Sequence, residues 1–402
     1  MANETIEDCV LVAGAGAGGL ATALAVARRG IRVVLVERSN RLGGTVSRSL
    51  IHTIAGLFDS EGEFLNEGLP IELTERLTKA SPHTSRRRMG RVWVLNVAPD
   101  IYESVVNAWI REESLVELVD RAQIGRLGVQ SERVTSVEIA KHDQSTLLVK
   151  PKAVVDATGQ AEIPRNIRPD LVHYEGNAAA GLVFTLSPVD TSVVQFPRNI
   201  ELLREIREAA RRGELPAACG KAWLDNGVRD DEVYVKLFLP MTTGWQDTDA
   251  QRAMLNGGLR QQESLVEFLK QFPAFADAAI GRTGELGVRD GGRVSGNYLL
   301  TVEDVRNLRK FEDPAANCAW PIEYWDPDKG VQLEYLAKGG SYQIPLGSLQ
   351  VKGWKNLWVA GKSLCADAQA QASARVAGCC WAMGQSVGQR IVDEHFLGGQ
   401  PS

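Results

Sequence analysis

No run of about 18 consecutive apolar residues occurs anywhere in the 402-residue chain, so no membrane-spanning helix is expected. Excess charge is missing as well. The formal net charge is −5, with acidic and basic residues interspersed, which excludes the broad basic field that nucleic acid requires. Cysteine is scarce. The six residues (Cys9, Cys219, Cys318, Cys365, Cys379 and Cys380) lie far apart apart from one adjacent pair. None has Cys-x-x-Cys, zinc or iron–sulfur spacing, so no metal site and no dithiol redox pair is expected. Reduced thiols in a cytoplasmic protein are the simplest expectation. The first apolar run, from Cys9, has no basic segment before it and no cleavage site. It therefore reads as a strand rather than a signal peptide. A hydrophobic content of 44% over this length supports two domains, or one domain with a large insertion.

The first sixty residues carry the strongest pattern. Cys9–Ala13 reads as a buried strand and is followed at once by Gly14-Ala15-Gly16-Ala17-Gly18-Gly19. Leu20, Ala23, Leu24 and Ala27 then recur at helical spacing until Gly30, and Ile31–Val36 forms a second strand closed by Glu37. Strand, Gly-x-Gly-x-x-Gly, helix, strand and acid make up the dinucleotide-binding unit. Gly14 permits the tight turn, Gly16 lets a diphosphate approach the backbone, and Gly19 allows close helix packing. The helix N-terminus offers N–H groups to phosphate, and Glu37 is placed to accept ribose hydroxyls. NAD and FAD both use such a unit.

The next segment decides between them. Glu37-Arg38 followed by Leu42-Gly43-Gly44-Thr45 resembles the flavoprotein branch of this fold. Further blocks strengthen the resemblance. They are Val155-Asp156-Ala157-Thr158-Gly159, Arg289-Asp290-Gly291-Gly292-Arg293, Gly339–Pro345, and Ala360-Gly361-Lys362 through Arg375-Val376. In this order they resemble the FAD-dependent oxidoreductase family of the glutathione-reductase-type fold. That family is related to the flavin part of heterodisulfide reductase and to fumarate-reductase-like flavoproteins. The resemblance implies an FAD cofactor held by Gly14, Gly16, Gly19, Glu37, Arg38, Gly43, Gly44, Thr45, Ala157, Thr158, Gly159, Gly361, Arg375 and Val376. It also places Ala122 to Ile124 beside the adenine. A helix over about Ser373 to Val392 is implied to point at the flavin pyrimidine edge. Arg375 in its first turn then either supports reduced flavin or is a solvated or phosphate-facing arginine. Two positions depart from many relatives: Gln160 stands where an acid is common, and Lys362 replaces an arginine. The loop Ser363–Gln369 also lacks their histidine.

The implied fold is α/β: a Rossmann-type FAD-binding domain with an inserted α+β substrate or cap domain. Residues 1–165 and 339–402 form the FAD-binding parts and 166–338 the cap. Cap strands are expected at Gly181–Leu186 and Val233–Leu239, with helices at Leu202–Arg212 and Leu259–Phe272. Trp223, Trp245, Trp320, Tyr324, Trp325 and Tyr335 either roof a pocket or pack as ordinary core. Three side chains are catalytic candidates. His52 is either a general base beside the ring or a packed imidazole. Arg289 and Arg293, beside Asp290, hold either a substrate carboxylate or flavin carbonyl, or form a structural salt bridge. The run Arg86-Arg87-Arg88 reads as a solvated face. Cys365 is either redox-active or a buried inert thiol.

The sequence shows no second Gly-x-Gly-x-x-Gly unit, so a built-in nicotinamide domain is not expected. The expected activity is hydride transfer between flavin N5 and a small organic substrate, with an external electron acceptor or redox partner. The alternative is a flavin monooxygenase acting on a biosynthetic intermediate or a partner protein's side chain.

Overall fold

The computed structural model describes residues 4–175, 179–241, 246–326, 330–337 and 339–398. Its central sheet has five parallel strands in the order Leu357–Val359, Ala153–Asp156, Val10–Ala13, Val33–Val36 and Val116–Val119. The inner strands are continuous apolar runs because both of their faces are covered. Every residue of Val10–Ala13, Val33–Val36 and Ala153–Asp156 is buried. The register aligns Ala13 with Val36 and Asp156, and Asp156 with Val359. The carboxyl ends of these strands therefore meet along one edge, where an open α/β sheet binds its ligand.

Two helices lock this sheet together. The glycine-loop helix, Ala17–Ala27, packs against the long C-terminal helix, Ala377–His395. Their backbones nearly touch. A Cβ at Gly384 would lie 2.1 Å from the Gly18 carbonyl oxygen, and Thr22 Oγ1 donates to the Gly384 carbonyl at 3.1 Å. The C-terminal helix is not the single segment from Ser373 that the sequence suggests. A short helix, Ala368–Ala374, ends first, capped at Ala370 N–H by the Asp367 carboxylate. Arg375 and Val376 form the break, and the long helix starts at Ala377.

The cap is an antiparallel sheet in the order Trp223–Asn226, Val233–Pro240, Ala179–Ser187, Ala279–Thr283, with Gly287–Val288 also pairing with Ala179–Ser187. The period of two sorts its side chains. Ala180, Leu182, Phe184, Val233, Val235, Leu237 and Leu239 join a core with Leu202 and Ile206 of helix Arg198–Arg211 and Leu265 and Leu269 of helix Thr248–Leu269. Gly181, Val183, Lys236 and Phe238 face the other way. Apolar packing divides the chain differently from the expected 166–338 insert. The cap core runs from Ala180 to Ala278, whereas Val294, Leu300, Ala316, Ile322 and others up to Val351 belong to the large core of the dinucleotide unit. Among the described residues, no helix is long and apolar enough to cross a membrane.

Candidate functional site

The strand ends open onto one elongated cavity of about 720 Å³, at the large end of the range for small-molecule sites. One wall is the glycine loop. Gly14 has φ +97°, and a Cβ there would sit 2.5 Å from the Ala157 carbonyl oxygen. That position admits only glycine, both for conformation and for space. Gly44, at φ +56°, lies so near Gly16 that its Cβ would be 2.9 Å from the Gly16 Cα. Gly16 itself lines the cavity, and a side chain there would meet little besides the Gly44 Cα at 3.9 Å. The two glycine segments thus leave a bare backbone channel of the kind a diphosphate needs. The first-turn N–H groups of helix Ala17–Ala27 carry no side-chain cap and complete it.

Glu37 organises this wall. Its Oε2 accepts from Ala15 N–H at 2.9 Å, and its Oε1 accepts from Ser39 N–H, Ser39 Oγ–H and Arg48 Nη1 at 3.0, 3.0 and 3.1 Å. Oε1 is therefore filled, and Oε2 keeps capacity for one further donor, where two ribose hydroxyls were expected to bind. Arg38, Ala122, Gln123 and Ile124 continue the lining beyond it.

A second wall comes from the return strand. Asp156 is fully buried and turns the chain by accepting from Thr158 N–H, Thr158 Oγ1 and Ile163 N–H at 2.9, 2.7 and 2.7 Å. Burial holds its pKa above the ordinary carboxylate range despite these bonds. Ala157, Thr158 and Gly159 then border the cavity, opposite Ala360, Gly361 and Lys362 from the C-terminal strand. Lys362 Nζ donates to the Val288 carbonyl and runs beside Gly159. Burial, helped by Arg375, pushes its pKa down to about 8. Val376, Ala377 and Cys380, at the start of the C-terminal helix, close this end.

The third wall is the inner face of the cap. Val183, Lys236 and Trp223 are cross-strand partners in one row, with Gly181 and Phe238 in the next. All five line the cavity, together with Arg289, Trp320, Glu323 and Tyr335. Arg289 Nη1 donates to the Ala179 carbonyl at 3.0 Å, and its guanidinium lies 4.9 Å over the Phe238 ring. Burial, with Arg375 nearby, lowers its pKa to about 10. Burial also lowers the Lys236 ammonium. Burial of Glu323 opposes ionisation, but Arg375, Arg289 and Lys236 outweigh it and hold its pKa low.

Of the residues expected from sequence to hold the cofactor, all but Gly19 line this cavity. A Cβ at Gly19 would clash with the Gly14 carbonyl oxygen at 1.9 Å, so it serves the turn beneath. Two catalytic candidates are not in the lining. His52 is 0% exposed and stacks on Tyr234 with ring centroids 3.9 Å apart. Its Nε2 lies 3.1 Å from the Asn226 carbonyl and 3.3 Å from Asp225. Burial lowers its pKa to about 4. His52 is thus a buried, neutral imidazole packed against the cap sheet, outside the cavity lining. Arg293 is 2% exposed, bonded to Asp290 and to the Ala366 carbonyl, and paired with Glu175, so it is the structural salt bridge. The arginine run is exposed at Arg86 and Arg88, as a solvated face would be, but Arg87 turns inward. Arg87 forms two bonds to Asp225, and Arg86 lies over the rings of Phe58 and Phe64. Cys365 is a buried thiol raised by that burial, and Cys380 is pushed up to about 12. Trp245 and the side chain of Trp325 lie outside the described residues. Sequence reasoning missed Lys236 and Glu323. The visible signal for Lys236 is a lone charge inside the strand Val233–Pro240.

The chain is 26% identical over 226 residues to the Protein FixC of Escherichia coli K12, covering 47% of this chain and 51% of that protein. The match thus spans about half the length of the curated relative. Among solved structures, similar chains include p-nitrophenol 4-monooxygenase PnpA from Pseudomonas putida DLL-E4, at 11% identity, TM-score 0.49, and coverage of 99% and 82%. Another is a geranylgeranyl bacteriochlorophyll reductase-like protein from Thermoplasma acidophilum, at 12% identity, TM-score 0.47, and coverage of 96% and 77%. The model of the FAD dependent oxidoreductase family matches residues 9–392, nearly the whole chain, and the protein belongs to that family.

Proposed function

We propose that this FAD-dependent oxidoreductase oxidises or reduces a small organic substrate held between the flavin ring and the inner face of the cap sheet, exchanging electrons with an external partner. The observation that carries this is the continuity of the cavity. The same space is lined by the dinucleotide glycine loop, by the ends of three parallel strands, and by Gly181, Val183, Lys236 and Phe238 of the cap.

Bound FAD supplies hydride and electron transfer at its ring. The protein's residues would bind, orient and shield. Gly14, Gly16, Gly43, Gly44, Thr45 and Arg38 would hold the diphosphate and its neighbours, with Glu37 taking one ribose hydroxyl on Oε2. Ala157, Thr158, Gly159 and Gly361 allow close passage of the rest. The N-terminus of helix Ala377–His395 and the Arg375 guanidinium present positive charge to the cavity at Val376 and favour a negatively charged reduced ring. Phe238, Trp320 and Val183 would present apolar surface to a bound substrate and so limit water beside it. The high thiol pKa of Cys380 argues against a dithiol relay through it.

Anaerobic mixing of the flavin-loaded protein with candidate substrates tests this. Bleaching of the visible flavin band, recovered on adding a quinone or an electron-accepting protein, is expected. Incorporation of labelled oxygen from O₂ into product, coupled to NADPH oxidation, would replace dehydrogenation with monooxygenation.

A further inference from the structure

We propose that the substrate is an organic anion, a carboxylate carried on an apolar body, with Lys236 and Arg289 as its counter-charges. This rests on the function proposed above and names the substrate class of the same cavity.

The charge balance of the chamber points to it. Lys236, Arg289, Lys362 and Arg375 all line the cavity. None has a carboxylate within 4 Å among the described residues, although arginines outside the cavity, such as Arg28 and Arg87, are closely paired. Lys362 is committed to the Val288 carbonyl and Arg375 to the Glu323 carbonyl. Arg289 spends one donor on Ala179. Lys236 makes no hydrogen bond and no ion pair among the described residues. It nevertheless sits mid-strand, between Val235 and Leu237, which point into the cap core. Two acids face this group, Asp225 and Glu323; Asp225 is already bonded to Arg87, which leaves Glu323 as the acid shared by Lys236, Arg289 and Arg375.

A buried ammonium without a partner is unfavourable unless a ligand supplies the anion. The flavin diphosphate does not fill that need. Arg38, the glycine loop and a helix N-terminus are available to it on the dinucleotide unit, whereas Lys236 and Arg289 belong to the cap. Burial lowers the pKa of both Lys236 and Arg289, as expected for cations taken out of water, and Arg375 adds to this at Arg289.

The rest of the lining sets the body of the substrate. Met89, Val92, Trp223, Val331, Leu333 and Tyr335 give the same cavity an apolar flank, and Trp223 and Leu333 remain 43% and 44% exposed. A carboxylate held by Lys236 and Arg289, with hydrocarbon or an aromatic ring against this flank, satisfies both halves.

The test uses the flavin-loaded protein and perturbation of its visible flavin spectrum. The probes are benzoate, cinnamate and octanoate, each titrated beside its primary amide. At least one acid should bind roughly 10- to 100-fold more tightly than its amide. Lys236→Met should abolish that preference while flavin content stays unchanged, and Lys236→Arg should restore it. A panel in which no acid outbinds its amide, whether both bind alike or neither binds, overturns the proposal. So does a Lys236→Met protein that loses stability or flavin but keeps the acid-to-amide ratio. Failure of the wild-type protein to retain FAD would instead remove the function proposed above.

Discussion

Replacing Glu37 by alanine leaves Ala15 N–H, the Ser39 donors and Arg48 without their shared acceptor inside the glycine-loop wall. A buried, charge-assisted set of this kind is worth about 2–4 kcal/mol when one partner is deleted. Glu37→Ala should therefore lower unfolding free energy by about that amount and strip FAD, read from the visible absorbance of the purified protein. Normal flavin content in that variant would contradict the role. His52 gives a second prediction. Its folded pKa of about 4 lies below the ordinary 6.5, because burial disfavours the imidazolium. Between those values the unfolded chain takes up a proton that the folded chain refuses. The stabilisation is thus complete above pH 6.5 and drains away as pH falls toward 4. At its limit it amounts to about 3 kcal/mol. Denaturant unfolding from pH 7 to 4.5 should show wild type losing more stability than His52→Gln, and equal slopes would refute it. Neither the stacked Tyr234 nor Asp225 could be read from the sequence around His52, because both come from cap strands more than 170 residues away. A separation of 138 residues likewise hid Asp225 as the partner of Arg87. Lys236 was legible in principle, as one charge in a strand otherwise apolar.

At the scale of elements, local chemistry was the better guide. The glycine loop, its flanking strands, the Ala-Thr-Gly return strand and the Ala-Gly strand near the end all sit where their patterns place them, to within a few residues. The break at Arg375 and Val376 was not legible. It depends on Asp367 capping a separate short helix, and both segments share the same small, apolar composition. The crossing of Ala17–Ala27 with Ala377–His395 yields a paired prediction. Gly384→Ala puts a Cβ 2.1 Å from backbone oxygen and should cost about 3 kcal/mol or more, because neither backbone can yield alone. Gly257→Ala, within helix Thr248–Leu269, meets no atom closer than 4.0 Å and should instead stabilise by about 0.4–1 kcal/mol. Thermal unfolding of the two variants side by side distinguishes them, and equal midpoints would show that the close crossing is not maintained in solution.

For the whole molecule, the pattern of two apolar cores has a measurable consequence. The cap core between Ala180 and Ala278 is separate from the large core that spans the dinucleotide unit. FAD in the shared cavity would touch walls belonging to both. Flavin-free protein should therefore unfold in two calorimetric steps, and saturating FAD should raise and merge them. A ligand at 100 times its dissociation constant adds about 2.7 kcal/mol of stability. A single, FAD-insensitive transition would argue against a cofactor that bridges the two. The sequence made the dinucleotide unit and its cofactor legible because glycine spacing reports backbone contacts directly. It left the end of the insert unclear, since residues 294–351 return to the large core through long-range packing that no local pattern announces.

The crossing of the two helices also bears on how the protein is made. Strand Leu357–Val359 pairs with Ala153–Asp156, and Gly384 seats against Gly18, so opposite regions of the polypeptide complete the same binding wall. A ribosome-bound chain halted before residue 357 would carry the fingerprint loop yet lack the strand and helix that complete the opposite wall of the cavity. Coloured, cofactor-retaining protein should therefore arise only after helix Ala377–His395 has emerged, and chains halted before residue 357 should be pale and quickly degraded.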